Sequence, residues 1–159
     1  EAEGREYYFR DKKYLKDLIN EGNSVEYTSY VVNGETWYYA LSKEEIEYAD
    51  KYDTSVVTIN PHGISQLLTE EWLLKRLKIV RVKVPLTERI ERYLDREKWD
   101  KQAMINLGQR IERDVIDFDY FDNELVKDIQ RLGIRYVEYN NSDEVSYEDK
   151  LKNLKELLK

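Results

Sequence analysis

The stretch from Val25 to Ala40 reads V-E-Y-T-S-Y-V-V-N-G-E-T-W-Y-Y-A, and the rest of the chain is expected to be organised around it. Its two halves are rich in Val, Thr, Tyr and Trp, which favour strands. Asn33-Gly34 between them is the preferred pair for a two-residue turn, because both positions need positive φ. The stretch therefore predicts a β-hairpin. One face is predicted to present Glu26 and Tyr38 together, a carboxylate and a phenol that can read a polar ring and a phosphate.

The composition limits the classes of function. The chain has 159 residues, 37% of them charged, and a net charge of −7. An acidic chain is a poor match for nucleic acid or an anionic membrane, so neither is predicted as a partner. The absence of cysteine excludes disulfides and cysteine metal sites. Short apolar runs and the lack of a signal-peptide pattern make a cytoplasmic protein the expectation.

Local patterns predict the other elements. Before residue 61 these are a strand at 4–9, a helix at 12–21 capped by Asp11 and ended by Gly22, a helix after Ser42 with Glu45 completing a capping box, and a buried-type strand at 55–60. After it they are a helix at 64–76, a strand at 78–84, a helix capped by Thr87, helices at 101–119 and 123–132, a strand at 134–139 and a helix at 147–158.

Strand–helix alternation in the second half predicts an α/β fold with a parallel sheet and helices on both faces. Ligands bind such sheets beyond the carboxyl ends of the strands, where Thr58, Asn60 and His62 are expected. Asn60-Pro61-His62-Gly63 also fits a plain strand-to-helix turn. His62 is the only histidine and has no second His or Cys partner, so no metal site is predicted.

Two groups of side chains are candidates for a site. Tyr7, Glu26 and Tyr38 can bind a base edge with adjacent N–H groups and a phosphate, although they also fit three ordinary strand residues. The second group consists of arginines at helical spacing: Arg89, Arg92, Arg96, Arg110 and Arg113. Guanidinium groups on two helical faces can close on a polyphosphate. The alternative is a solvated face whose partners are Glu88, Glu91, Asp95 and Glu112.

Taken in order, these motifs resemble the guanylate kinase family. The resemblance rests on Gly4-Arg5-Glu6-Tyr7-Tyr8-Phe9, Val25-Glu26-Tyr27, Trp37-Tyr38, Ile59-Asn60-Pro61-His62-Gly63 and the arginines Arg92, Arg96 and Arg110. It implies a P-loop kinase-like α/β core with flanking helices, a small mixed-β lobe that binds the monophosphate, and a helical lid. The lobe would span residues 1–50 and the core 51–159, with the lid at about 88–115.

The resemblance also implies roles for individual residues. Tyr7 and Tyr38 would hold the monophosphate and Glu26 would read guanine, with Thr58 and Asn60 nearby in the substrate site. The catalytic group would be Arg92, Arg96 and Arg110, which would touch the ATP phosphates and the transferred group. Asp117 lies where the family often has a lid-side Glu. The implied cofactors are ATP and Mg²⁺, and the implied reaction transfers the ATP γ-phosphate to GMP, dGMP or a related monophosphate.

The sequence also departs from the family. Tyr39-Ala40 replaces Gly and a small hydroxyl residue, and Thr58 and Asn60 replace two aspartates, which leaves base specificity open. No G-x-x-x-x-G-K-[ST] phosphate loop occurs in the 159 residues, so the expectation is either a chain lacking its natural beginning or a relative without the loop. The rival interpretation is a non-catalytic guanylate-kinase-like module that binds a peptide or protein. A second copy of the chain is left open as a partner.

Overall fold

The predicted hairpin is present in the computed structural model, which describes residues 3–4, 7–32, 34–97 and 99–157. Strand β1 (Ser24–Val32) pairs antiparallel with β2 (Glu35–Ser42), in register from Glu26 opposite Leu41 to Val32 opposite Glu35. Gly34 has φ +82°, the left-handed conformation that a tight turn requires and that glycine tolerates. Asn33, the other predicted turn residue, lies outside the described residues.

The two helices that flank the hairpin in sequence begin at their predicted caps. Helix α1 (Lys12–Asn20) starts after Asp11, whose carboxylate accepts from the Tyr14 N–H at 2.7 Å. Helix α2 (Lys43–Ala49) starts after Ser42, which exchanges reciprocal hydrogen bonds with Glu45. These hydrogen bonds confirm both predicted caps. Each cap satisfies N–H groups that the first turn of a helix leaves unpaired.

The predicted strand at 55–60 is wrong. The chain there has no regular secondary structure and joins neither sheet of the described residues, and Val56 and Val57 are 79% and 55% exposed. A continuous apolar run is typical of a strand with neighbours on both edges. Backbone pairing decides the assignment, and pairing is a long-range property that an apolar run does not encode.

Two further boundaries differ from the prediction. The helix predicted at 64–76 is two short helices, α3 (Pro61–Leu67) and α4 (Glu71–Leu74), because backbone bonds from Thr69 to Gln66 and from Glu70 to Leu67 close tighter turns between them. The strand predicted at 4–9 is reduced to one bridge between Glu3 and Tyr7; Arg5 and Glu6, in its middle, lie outside the described residues.

The second half of the chain contains the parallel pair of strands. Its elements are β3 (Lys78–Lys83), α5 (Leu86–Arg96), α6 (Lys101–Tyr120), a π-helical segment (Phe121–Leu125), α7 (Val126–Arg131), β4 (Arg135–Asn140) and α8 (Tyr147–Leu157). Strand β3 pairs parallel with β4, from Lys78 opposite Arg135 to Lys83 opposite Asn140. Helix α5 follows Pro85 without a side-chain cap, so Thr87 is not the predicted cap.

Buried side chains of this half form a hydrophobic core. Leu125 and Ile129 are 1% and 0% exposed, and they lie where the π-helical segment continues into α7. The other buried apolar residues of this half lie in helices, in β3 and just before β4: Leu73, Ile79, Tyr93, Ala103, Leu107, Phe121 and Ile134. Burial of this apolar surface supplies most of the stabilisation of the parallel pair, because a two-stranded sheet is marginal by itself.

The chain divides into two compact units, residues 1–71 and 72–159. The coarse prediction of a mixed α/β protein is confirmed, with one antiparallel and one parallel strand pair among the described residues. The functional division predicted at residue 50 stays a prediction. No helix in the described part of the chain is both long enough and apolar enough to cross a bilayer.

Candidate functional site

The two faces of the hairpin carry different side chains. Side chains alternate along a strand, and directly opposed residues share a face. Glu26 is opposite Leu41 and Thr28 is opposite Tyr39, so Glu26 and Tyr39 share one face. We call it the carboxylate face, and its strand members are Glu26, Thr28, Tyr30, Trp37, Tyr39 and Leu41.

Tyr38 lies on the other face, and the prediction that it shares a face with Glu26 is wrong. It is opposite Ser29, one position out of phase with Glu26. The Lys12 ammonium of α1 lies 5.4 Å from the centroid of its ring, a cation–π distance. Alternation counted from Glu26 across the two-residue turn selects Tyr39, so the sequence contained the signal.

Glu26 is the buried acid of the carboxylate face. Its residue exposure is 7%, and burial raises the pKa of its carboxyl above the ordinary value of 4.5. Gly63 of α3 lies directly against it, since a Cβ added there would come within 2.7 Å of Glu26 Oε1 and 2.5 Å of Ile59 Cγ2. The absence of a side chain at Gly63 is what allows α3 to approach the carboxylate so closely.

Asn60 connects the start of α3 to the hairpin. Its Oδ1 accepts from the Gly63 N–H at 2.7 Å, as an N-cap does. Its Nδ2 donates to Tyr30 Oη at 2.8 Å and to Thr28 Oγ1 at 3.4 Å. The carboxamide therefore fixes the start of α3 beside the carboxylate face, and Asn60 has a structural role whatever it binds.

Three tyrosine rings form a cluster on the same face. The Tyr7 and Tyr39 centroids are 5.6 Å apart and the Tyr30 and Tyr39 centroids 5.8 Å apart, both in edge arrangements that aromatic pairs favour. Tyr7 stays 44% exposed. The cluster thus brings predicted residue Tyr7 together with Tyr39, which the sequence prediction did not select.

Gln66 of α3 forms two hydrogen bonds with the backbone of Tyr27, at the outer edge of β1. Its Nε2 donates to the Tyr27 carbonyl at 2.9 Å, and its Oε1 accepts from the Tyr27 N–H at 3.1 Å. A side-chain amide here takes the place that a neighbouring strand would occupy, so both backbone groups of Tyr27 are satisfied. Gln66 was missed by sequence reasoning, because nothing local marks a glutamine as a partner of residue 27.

Thr58 is exposed in the irregular stretch before α3. The prediction placed it at the carboxyl end of a strand, and no such strand occurs there in the described residues. Its place in a substrate site stays a prediction.

The predicted catalytic arginines belong to the second unit, and Arg92 is already engaged. Its Nη2 donates to Asp143 Oδ1 at 2.5 Å and to the Asn141 carbonyl at 2.8 Å. The bond to Asp143 raises the pKa of Arg92 and lowers the pKa of Asp143. Glu88, one turn earlier, accepts from the Ser142 hydroxyl at 2.6 Å and the Asp143 N–H at 2.8 Å. This network ties α5 to the segment after β4.

Arg96 and Arg110 are more accessible. Arg96 is exposed one turn after Arg92 on α5, and its Nε donates to the Arg92 carbonyl at 3.0 Å. Arg110 is exposed on α6. Helical spacing places Arg92 and Arg96 on one face of α5, as predicted.

No protein family model matches the chain, and no curated protein matches it. Within the described residues, no group of three or more His, Cys, Asp or Glu side chains could hold a metal ion.

Proposed function

We propose that the carboxylate face binds a purine nucleoside monophosphate with guanine as the favoured base, and that the protein is a guanylate-kinase-like nucleoside monophosphate kinase. The observation that carries the proposal is the buried carboxylate of Glu26 on the same face as the Tyr7–Tyr39 pair. A buried acid is costly, and the cost is offset when a ligand supplies hydrogen-bond donors to it.

Glu26 is the base-reading group of this proposal. Guanine presents two adjacent N–H donors, and an ionised carboxylate has two oxygens that accept them side by side. Adenine lacks this pair of donors on one edge. Burial raises the pKa of Glu26 because it disfavours the ionised carboxylate. In this proposal, the N–H donors of the bound base stabilise that ionised form.

The tyrosines are the phosphate-binding groups. Phenol hydroxyls donate to phosphate oxygens, and Tyr7 and Tyr39 present two rings 5.6 Å apart on the face of Glu26. Tyr39 takes the role that the sequence prediction gave to Tyr38, because Tyr38 is on the opposite face.

Phosphoryl transfer from ATP requires cations around the transferred group, and the proposal assigns Arg92, Arg96 and Arg110 to it. Arg92 would have to exchange its bonds to Asp143 and Asn141 for phosphate oxygens. The 159 residues contain no phosphate loop, so the proposal assigns no residue to the loop's role with ATP and Mg²⁺. We propose a cytoplasmic location for this kinase as well.

The experiment is an assay of ADP formation from MgATP by the full-length protein, with each common monophosphate as acceptor, since the 159 residues by themselves lack a phosphate loop and are expected to be inactive. The proposal predicts turnover with GMP or dGMP, well above that with AMP, CMP or UMP. Absence of turnover with every monophosphate would reject the kinase activity.

Thr58 and Asn60, which stand where the family has two aspartates, favour a second candidate, a guanylate-kinase-like module that binds a peptide or protein without catalysis. Binding of GMP without turnover would keep the nucleotide site and reject the enzyme. Absence of GMP binding would favour the module.

A further inference from the structure

Helix α6 has a second, unburied apolar stripe. Its inner face contributes Ala103 and Leu107, which are 9% and 7% exposed. A separate set of apolar side chains faces outward, with exposed fractions of 43% to 60%: Met104, Ile105, Val115 and Ile116. At 3.6 residues per turn, these four residues fall within an arc of about 120°. We call this the outer stripe, and its other members are Lys101, Gly108, Glu112 and Asp119.

The outer stripe has the same pattern from both ends. Taken from the two ends inward, its members pair as Lys101 with Asp119, Met104 with Ile116, Ile105 with Val115, and Gly108 with Glu112, and the mean position of every pair is 110. In two antiparallel helices related by a twofold axis, residues equally far from the axis lie at the same height. A twofold axis at the height of residue 110 therefore sets Lys101 against Asp119 and the pair Met104–Ile105 against the pair Val115–Ile116, with Gly108 level with Glu112, over about 27 Å of helix.

Charge along α6 has the polarity that such a pair needs. The first ten residues carry Lys101 and Arg110 and no acid. The last ten carry four carboxylates and one guanidinium; of these, Glu112 and Asp119 lie on the outer stripe, as Lys101 does in the first half, whereas Asp114 is bonded to Arg89 at 2.5 Å. An antiparallel pair places the positive half of each helix against the negative half of the other, whereas a parallel pair would oppose like charges.

The surface also has room for the partner. A depression of about 410 Å³ is lined by Val115, Ile116, Asp119, Tyr120, Asn123 and Glu124, at the height where Met104 and Lys101 of a second copy would lie. Nothing lies within 4 Å of a Cβ built on Gly108, so a partner helix meets no side chain there. One oxygen of Asp119 accepts from Asn123 at 2.8 Å, which leaves the other for a lysine.

We infer that this protein forms a twofold-symmetric homodimer through the outer stripes of two antiparallel α6 helices. The occupant of the stripe is a second copy of the chain, because the stripe complements itself in size, charge and spacing. The inference does not depend on the proposed kinase activity.

Sedimentation analysis of the chain over a wide concentration range is the first test. The expected result is a reversible monomer–dimer equilibrium. Ile116→Glu, which places a carboxylate against Met104 and near Asp119, should weaken the dimer at least about tenfold. Val57→Glu, at an equally exposed valine in the other unit, should leave it unchanged. A chain that stays monomeric at the highest concentrations, or a dimer indifferent to Ile116→Glu, would overturn the inference.

A charge exchange tests the antiparallel register. Lys101→Asp alone and Asp119→Lys alone each create two like-charge pairs across the twofold, so each homodimer should weaken by about tenfold. Mixed together, the two variants should form a heterodimer, because each copy then offers the complement of the other. Lys101→Asp places an acid in the first turn of α6, which suits the polarity of a helix, so helix loss does not explain weakening of that homodimer. Failure of the mixture to associate better than either variant would reject this register.

Discussion

At the scale of single residues, the account depends on which side chains share a face. Glu26 and Tyr38 looked like partners because both belong to the hairpin and both suit a nucleotide. The register places them on opposite faces and puts Tyr39 beside Tyr7 instead. A residue type suggests chemistry, but strand alternation decides which groups one ligand can reach.

The two neighbouring tyrosines of β2 form a matched pair of variants. Tyr39→Phe removes a hydroxyl that the proposal gives to the phosphate, so GMP affinity should fall about tenfold, the value of one hydrogen bond to a charged group. Tyr38→Phe removes the same atom from the opposite face and should leave affinity unchanged. Titration calorimetry measures both. Equal losses in the two variants, or a loss with Tyr38→Phe alone, would contradict the assignment.

Gly63 allows α3 to approach Glu26, so its replacement by a larger residue should destabilise the fold. Gly63→Ala places a Cβ within 2.5 Å of Ile59 Cγ2 and 2.8 Å of Glu26 Cγ, so the free energy of unfolding should fall by about 1–3 kcal/mol. Gly108→Ala is the control, since its Cβ meets nothing within 4 Å and alanine favours a helix by about 0.5–1 kcal/mol. Urea unfolding of the dilute protein measures both, and a Gly63→Ala variant as stable as its parent would refute the close approach.

Burial of Glu26 makes stability depend on pH. Because its folded pKa is raised above the unfolded value, the folded state holds the proton more tightly. The resulting stability is fully present below the unfolded pKa and is lost as pH rises through the folded pKa. Glu26→Gln keeps the shape without the charge, so its gain in free energy of unfolding should be near zero at about pH 4 and largest near pH 7. A gain that is equal at both pH values would show that the charge is not the cause.

At the scale of elements, local signals predicted what local interactions form. The Asp11 cap, the Ser42–Glu45 capping box and the hairpin each depend on residues within a few positions of one another, and each was found. The apolar run at 55–60 failed as a strand because a strand also needs a partner, which its own sequence does not specify. The break between α3 and α4 was not predicted, because residues 68–70 contain no proline or glycine to mark the end of a helix.

The contact between α3 and β1 is the long-range feature that sequence reasoning missed. Gln66→Ala removes two hydrogen bonds to the backbone of Tyr27, so the free energy of unfolding should fall by about 1–2 kcal/mol. Gln66→Glu keeps the acceptor for the Tyr27 N–H but sets a carboxylate against its carbonyl, and should cost at least as much. Thermal and urea unfolding measure both. A Glu variant as stable as the parent would show that the amide is not oriented by this edge.

At the scale of the whole molecule, the chain is acidic and consists of two compact units, with the candidate base-reading residues in the first and the candidate catalytic arginines in the second. Strand–helix alternation predicted the mixed α/β class, and motif order selected the candidate site residues. It did not identify their partners: Arg92 pairs with Asp143, 51 positions away, and Gln66 reaches back 39 positions to Tyr27. Such distances are set by the fold rather than by any local pattern.

Titration calorimetry of GMP and AMP into the parent protein and into Glu26→Gln tests the central claim most directly. The account predicts that GMP binds one site per chain, that AMP binds at least about tenfold more weakly, and that Glu26→Gln lowers GMP affinity by about 10–100-fold, the value of one or two hydrogen bonds to a charged group. The variant should at the same time be the more stable protein near pH 7. No heat with GMP, or equal GMP affinity in the parent and in Glu26→Gln, would contradict it.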